Sequence, residues 1–266
     1  MTAPSPLAVV TGANGAIGAA IARGLADRGF ELVLVVRDRA RAERVLSGLG
    51  NSSTKVAVEA CDLGRRAEVV AFVKRLPQVI DVLVNNAAEC PRLRRETPEG
   101  IERQWATNVL GYHWLMNECA SALSRSKRAR IVNVASYWAG GLDLNDVEFR
   151  RRPYDNDAAY RQAKQADRML TAGHARRLSQ LGIAVYACHP GDVRSKLSTD
   201  LGFGGHESPE TGADTPVWLA TEPLPPDASG KYFARRHADP CHFSSNTAEV
   251  QALMDLCASY DAAALR

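Results

Sequence analysis

The chain lacks what a membrane protein, a metal knuckle or a nucleic-acid binder needs. No apolar run approaches the length of a bilayer span: the clearest one, Leu32 to Val36, holds five residues. The six cysteines, at 61, 90, 119, 188, 241 and 257, form no C-x-x-C pair. Such scatter fits buried thiols in a reducing compartment better than a disulfide framework or a zinc site. Charge of one sign is not in excess, since 33 Lys and Arg face 30 Asp and Glu for a net +3. That balance singles out neither nucleic acid nor an anionic membrane surface. The opening Met-Thr-Ala-Pro-Ser-Pro has no basic region and no apolar stretch, so a cytoplasmic protein is expected. There is no internal repeat and no low-complexity linker, which leaves one domain over 1–266.

What is present is an alternation of short apolar runs with helix-period segments. Leu7–Val10, Glu31–Val36, Lys55–Ala60, Ile80–Val84, Arg130–Val134 and Ile183–Cys188 read as strands rich in Val, Ile and Leu. Strands without polar alternation suit a parallel sheet covered on both faces. Between them, Ile17, Ile21 and Leu25 share one helix face, as do Val69, Phe72, Val73 and Leu76. Val250, Leu253, Met254 and Cys257 mark a last helix, after a short strand at Lys231–Phe233. The fold class predicted is α/β: a single-domain, Rossmann-like, doubly wound parallel sheet flanked by helices. Segments 139–156 and 195–215 fit neither period and follow strand ends, so they are expected to be substrate-side flaps at the carboxyl edge.

Three groups of residues carry chemistry. Thr11, Gly12, Asn14, Gly15, Ala16, Ile17 and Gly18 lie between the first strand and first helix. Glycines there let backbone N–H groups approach a pyrophosphate held by the helix N-terminus, so nucleotide binding is expected. At the end of the second strand, where NAD-selective sites place an acid on the ribose, stand Val36 and Arg37. A guanidinium there can grip a 2′-phosphate, which favours NADP(H). Tyr160 and Lys164, four apart in a helix opened by Asn156 or Asp157, share a face. A nearby cation favours phenolate, so Lys164 is expected to lower the Tyr160 pKa and make it a general acid or base.

Further motifs follow in order: Cys61-Asp62-Leu63, Asn85-Asn86-Ala87-Ala88, Asn108 in Ala-Thr-Asn-Val, Ser136 in Ile-Val-Asn-Val-Ala-Ser, and His189-Pro190-Gly191-Asp192-Val193-Arg194-Ser195. With the glycine turn and the Tyr160/Lys164 pair, the chain resembles the short-chain dehydrogenase/reductase family over nearly its full length. Leu142-Asp143-Leu144-Asn145-Asp146 and Ser229-Gly230-Lys231-Tyr232-Phe233 are similar to its retinol dehydrogenase-like branch. Members of that branch are often membrane-anchored; a retinoid substrate is not implied for this chain. The resemblance implies that Ser136 hydrogen-bonds a substrate carbonyl while Tyr160 delivers its proton. Lys164 would bind the nicotinamide ribose, and Asn108 would hold a water-linked relay behind it. Asp62 and Leu63 would meet the adenine, and Asn85, Asn86 and Ala87 the ribose. Pro190, Gly191, Val193 and Ser195 would fix the nicotinamide. Dimers and tetramers are both family habits, and nothing in the sequence selects between them and a monomer.

Two departures stand out. Ala16 occupies the usual middle glycine position and Gly15 stands one earlier, the spacing of the family's extended branch of epimerases and dehydratases. Ala88 replaces a glycine. His237, Cys241 and His242 are metal-ligand types, but they flank a proline turn and read as loop residues, so no metal is expected. The basic run Arg150–Arg152 could steer an acidic substrate or carrier. Taken together, the motifs predict an NADP(H)-dependent oxidoreductase acting on a small-molecule carbonyl or alcohol. The flap residues Tyr137, Trp138, Phe149, Tyr154, Leu197, Leu201 and Phe203 make that substrate apolar in part. The rivals are an epimerase or dehydratase with tightly bound NAD, and a non-catalytic NADP(H) sensor.

Overall fold

Apolar runs this short pack best where helices cover both faces of a sheet, and the computed structural model, which describes residues 4–49 and 54–263, shows that arrangement. The strands are β1 (Leu7–Thr11), β2 (Glu31–Val36), β3 (Val56–Ala60), β4 (Val82–Asn85), β5 (Arg130–Val134), β6 (Ala184–His189), β7 (Tyr232–Ala234) and β8 (His237–Asp239). They form one sheet in the order β3-β2-β1-β4-β5-β6-β7-β8, parallel throughout except for the antiparallel β7–β8 pair. The helices are α1 (Ala16–Ala26), α2 (Glu43–Gly48), α3 (Arg66–Val73), α4 (Gly111–Glu118), α5 (Ala120–Leu123), α6 (Asn156–Leu178), α7 (Lys196–Asp200), α8 (Pro209–Thr221) and α9 (Thr247–Ala263).

Alternate strand residues go to opposite cores. Val9, Leu83, Ile131 and Val185 pack with Trp105, Trp114 and Met169 on one face. Val10, Val84, Val132 and Tyr186 pack with Ile21, Leu25 and Val217 of α1 and α8 on the other. Both sets are buried, so each such side chain contributes roughly 1.5–3 kcal/mol. The strand order reverses between β1 and β4, which opens a crevice above their carboxyl ends.

Several local outcomes differ from expectation. The cap of α6 is Asp155, whose carboxylate accepts from the Ala158 N–H at 2.7 Å, rather than Asn156 or Asp157. Residues 139–155 are irregular but firmly anchored. Asp146 accepts from the N–H groups of Arg150, Arg151 and Arg152, and Gln162 donates to the Val147 carbonyl at 2.7 Å. The 195–215 segment holds α7, capped reciprocally by Ser195 and Ser198, and the start of α8. All six cysteines are free, and all but Cys241 are buried. Among the described residues no helix is long and apolar enough to cross a membrane.

Candidate active site

A cleft of about 1000 Å³ lies at the carboxyl ends of the central strands. Its floor is the turn between β1 and α1. Gly12 has φ +62°, and a Cβ there would stand 2.7 Å from the Ala87 Cα. Gly18 has no room either, because a Cβ would collide with the Gly12 carbonyl and the Asn86 side-chain nitrogen. Gly15 is less confined, meeting the Gly12 oxygen alone at 3.3 Å, and Ala16 lies at the cleft wall. The shifted glycine therefore costs little, since positions 12 and 18 are where the backbone must approach closely. Asn14 and Ile17 also line the cleft. Thr11 does not: its hydroxyl donates to the Val84 carbonyl and accepts from the N–H groups of Asn86 and Ala87, tying β1 to the turn after β4.

At the second-strand end the cleft is basic. Arg37 and Arg41 line it, together with Arg103. Arg37 is more than half exposed and donates to Glu89 at 3.1 Å. Arg103 bridges Glu89 at 2.7 Å and Asp62 at 3.0 Å. Burial pushes the Asp62 carboxyl up, but the bonds from Arg103 and the Gly64 N–H outweigh it and hold it below the ordinary value. Leu63, Asn86 and Ala87 line the same region. Asn85 is turned away: it is fully buried and donates to the Asn133 side chain at 2.9 Å, so it braces β4 against β5 instead of lining a ribose.

At the other end stand Tyr160 and Lys164, both lining the cleft from α6, with Pro190 and Ser195 beyond β6. Ser136 is buried just past β5, its hydroxyl accepts from the Trp138 N–H at 3.0 Å, and it faces the Tyr160 phenol closely enough to favour phenolate. Lys164 donates to the Val134 carbonyl and to the Asp167 carboxylate, each at 2.9 Å. The i, i+4 spacing predicts that Lys164 lowers the Tyr160 pKa. The structure shows the opposite direction: burial raises it, Ser136 opposes the rise, and the facing Asp167 adds to it. Asp167, three residues beyond Lys164, is the charge that sequence inspection missed. Burial pushes it up to about 6, against the attraction of Lys164.

Asn108 lies on a π-helical turn, Trp105–Leu110, where no sequence signal foretold one. Its side chain is spent on the Glu89 backbone, accepting from the N–H and donating to the carbonyl, both at 2.9 Å. A third, longer bond runs from its amide to the Gln104 side chain at 3.4 Å, and Asn108 does not line the cleft. Gly191 packs against the Glu207 carboxylate, and Val193 is buried and bridged to Glu207; both shape the loop without lining the cleft. The Arg150–Arg152 run is absorbed locally: Arg150 bonds Gly100 and Glu148, Arg151 bonds Asn145, and Arg152 bonds Gln162. None of the three lines the cleft. Of the flap aromatics, Tyr137, Trp138 and Phe203 are exposed and do not line the cleft, and Trp138 and Phe203 stack at 6.2 Å. Among the described residues no group of three or more His, Cys, Asp or Glu could hold a metal ion.

Comparison with known proteins agrees with this architecture. The sequence profile of the short chain dehydrogenase family matches residues 6–202. Retinol dehydrogenase 13 of Homo sapiens is 32% identical over 256 residues, covering 87% of this chain and 77% of its own. A crystal structure of a protein from Mycobacterium paratuberculosis superposes with a TM-score of 0.80 at 29% identity, covering 96% of this chain and 94% of that one. A metagenomic short-chain oxidoreductase solved in complex with NADP superposes with a TM-score of 0.64 at 30% identity, covering 82% and 92%.

Proposed function

The chain belongs to the short chain dehydrogenase family, and from that premise we propose that it interconverts a carbonyl and an alcohol with NADP(H), with Tyr160 as general acid and base. The observation that carries the reading is the convergence of Tyr160, Lys164 and the glycine turn on one cleft whose far end is basic. The NADP of the metagenomic relative and the name of retinol dehydrogenase 13 support it.

The cleft suits a dinucleotide. Gly12 and Gly18 let the turn pack closely on Ala87 and Asn86, and Gly15, at the α1 N-terminus, leaves that end open to a pyrophosphate. Arg37 and Arg41 would hold the 2′-phosphate, Asp62 the adenine, Lys164 the nicotinamide ribose, and Pro190 and Ser195 the nicotinamide. When bound, NADPH supplies the hydride. The protein supplies position and a proton: the Ser136 hydroxyl donates to the carbonyl oxygen, and Tyr160 gives up its phenolic proton to the same oxygen. General acid catalysis of this kind is worth about 10²–10⁴ in rate. The exposed aromatics Tyr137 and Trp138, which follow Ser136, and Phe203, beyond α7, would receive an apolar body.

The test is NADPH consumption by the purified protein with a panel of aldehydes and ketones, the products identified. The expected result is one alcohol formed per NADPH oxidised, and weaker turnover with NADH. Cofactor that co-purifies and cycles without net consumption would point to an epimerase. Binding with no turnover on any carbonyl would point to a sensor.

A further inference from the structure

Arg168 is a buried residue of α6, 7% exposed, on a helix whose Ala163, Ala166, Met169 and Leu170 fill the core with apolar groups. Among the described residues no carboxylate pairs with its guanidinium, and a buried cation in that state is costly unless other groups hold it. Two aromatic rings do so in part. The guanidinium carbon lies 3.7 Å from the centre of the Tyr232 ring on β7 and 5.7 Å from that of Phe243. The rest falls to one acceptor: Nε donates to the Ser136 carbonyl oxygen at 3.0 Å, and Nη2 donates to the same oxygen.

Ser136 stands where the chain leaves the sheet. The last bond there to β6 runs from the Ala135 N–H to the Cys188 carbonyl at 2.8 Å. Beyond it, among the described residues, no backbone–backbone hydrogen bond holds Ser136, and its carbonyl is fixed by Arg168. Resting on the reading of Ser136 as the group that bonds the substrate carbonyl, we propose that Arg168 is a positioning residue that sets the Ser136 hydroxyl for the reaction. Tyr232 and Phe243 are the platform that holds its guanidinium flat. Two donors converging on one oxygen, with their plane stacked on a ring, fix the direction of that carbonyl as well as its place. An apolar chain of similar length would fill the space and fix neither. The carbonyl and the hydroxyl of Ser136 hang from the same Cα, so a peptide that turns carries the hydroxyl with it. A misplacement of about 1 Å at a reacting group costs up to about 10²-fold in rate. Arg168 itself does not line the cleft.

The test is a double-mutant cycle on kcat for carbonyl reduction with saturating NADPH, using wild type, Arg168→Met, Ser136→Ala and the double variant. NADPH affinity and melting temperature are measured for each. Arg168→Met keeps an unbranched chain and removes the charge and both donors. The expected result is a kcat lowered about 10- to 100-fold by Arg168→Met, NADPH affinity within about two-fold, and no further loss when the same substitution is made in Ser136→Ala. An equal loss in both backgrounds would make Arg168 a structural residue and overturn the proposal. A loss in Ser136→Ala beside an unchanged Arg168→Met sinks Arg168 alone. Ser136→Ala turning over at the wild-type rate sinks the role of Ser136, and the proposal with it. Should Arg168→Met fail to fold, Arg168→Lys carries the same cycle, because it keeps the charge but replaces the planar fork with a single point donor. The expected result is then a smaller loss in kcat that is absent from the Ser136→Ala background; a loss present in both, or in neither, overturns the proposal.

Discussion

Arg37→Ala is expected to weaken NADPH binding roughly 5- to 30-fold while leaving NADH within about two-fold. A hydrogen bond between charged groups contributes about 1.5–3 kcal/mol. Two features reduce that figure here. Arg37 is 58% exposed, so solvent screens it. It must also leave Glu89, an exposed ion pair worth about 0.2–1 kcal/mol. About 1–2 kcal/mol remains, and that is the fold-change given. Arg41 lines the same end of the cleft, so the double variant Arg37→Ala with Arg41→Ala should lose more than either single one. Glu89→Gln should act oppositely: it frees Arg37 for the phosphate yet keeps an acceptor for Arg103 and Thr107. Titration calorimetry with both cofactors at two salt concentrations measures all of this. NADPH and NADH weakened equally by Arg37→Ala, or neither weakened, would refute the assignment of the 2′-phosphate to this end.

Two further outcomes follow from packing and burial. Gly18→Ala should lower thermal stability by about 1–3 kcal/mol, because its Cβ would meet the Gly12 carbonyl. Gly15→Ala should leave the melting temperature nearly unchanged and reduce the stabilisation that NADPH gives, and equal melting temperatures for the two variants would contradict this. His113 and His174 are buried against each other at 3.1 Å, and burial lowers both, His113 to about 4. The unfolded chain therefore takes up protons first. Stability is fully present above about pH 6.5 and lost as pH falls toward 4, roughly 3 kcal/mol from His113. Asp167 and Glu102 work the other way, their raised values of about 6 and about 7 adding stability as pH falls, while His189, lowered to about 4, adds to the loss, so the readout is the difference that one substitution makes. Denaturant unfolding of His113→Gln should show a shallower pH slope in this window; a slope equal to that of wild type would be inconsistent.

The sheet was legible because Val- and Leu-rich runs and a glycine turn are local signals, and both cores needed them. Tyr160 and Lys164 were legible from the ordered motifs around them, since a tyrosine four residues before a lysine is common by chance. The β7–β8 hairpin was not. Its turn is Arg235-Arg236 with φ of +49° and +61°, where a turn of this kind favours Asn-Gly, so no residue announced it. What holds it there is tertiary: the Arg236 N–H donates to Thr215 and its guanidinium to Asp214. The π-helical turn under Asn108 likewise has no sequence mark. Thr11, Asn85, Gly191 and Val193 shared motifs with residues that line the cleft, yet they serve as braces, because a motif fixes which residues are present and not which way each one faces. Asp167 escaped notice for a related reason. An acid three residues after a lysine is ordinary on a helix surface, and only the packing of α4, α9 and β5 around it makes the pair a buried one.

The central claim is that Tyr160 donates the proton. Its most direct test is single-turnover NADPH oxidation, with a carbonyl from the active panel, by wild type and Tyr160→Phe, each shown by calorimetry to bind NADPH. The expected result is unchanged cofactor affinity within about three-fold and a rate lowered about 10²- to 10⁴-fold in the variant. A variant that binds NADPH and reduces the carbonyl at the wild-type rate would contradict the mechanism.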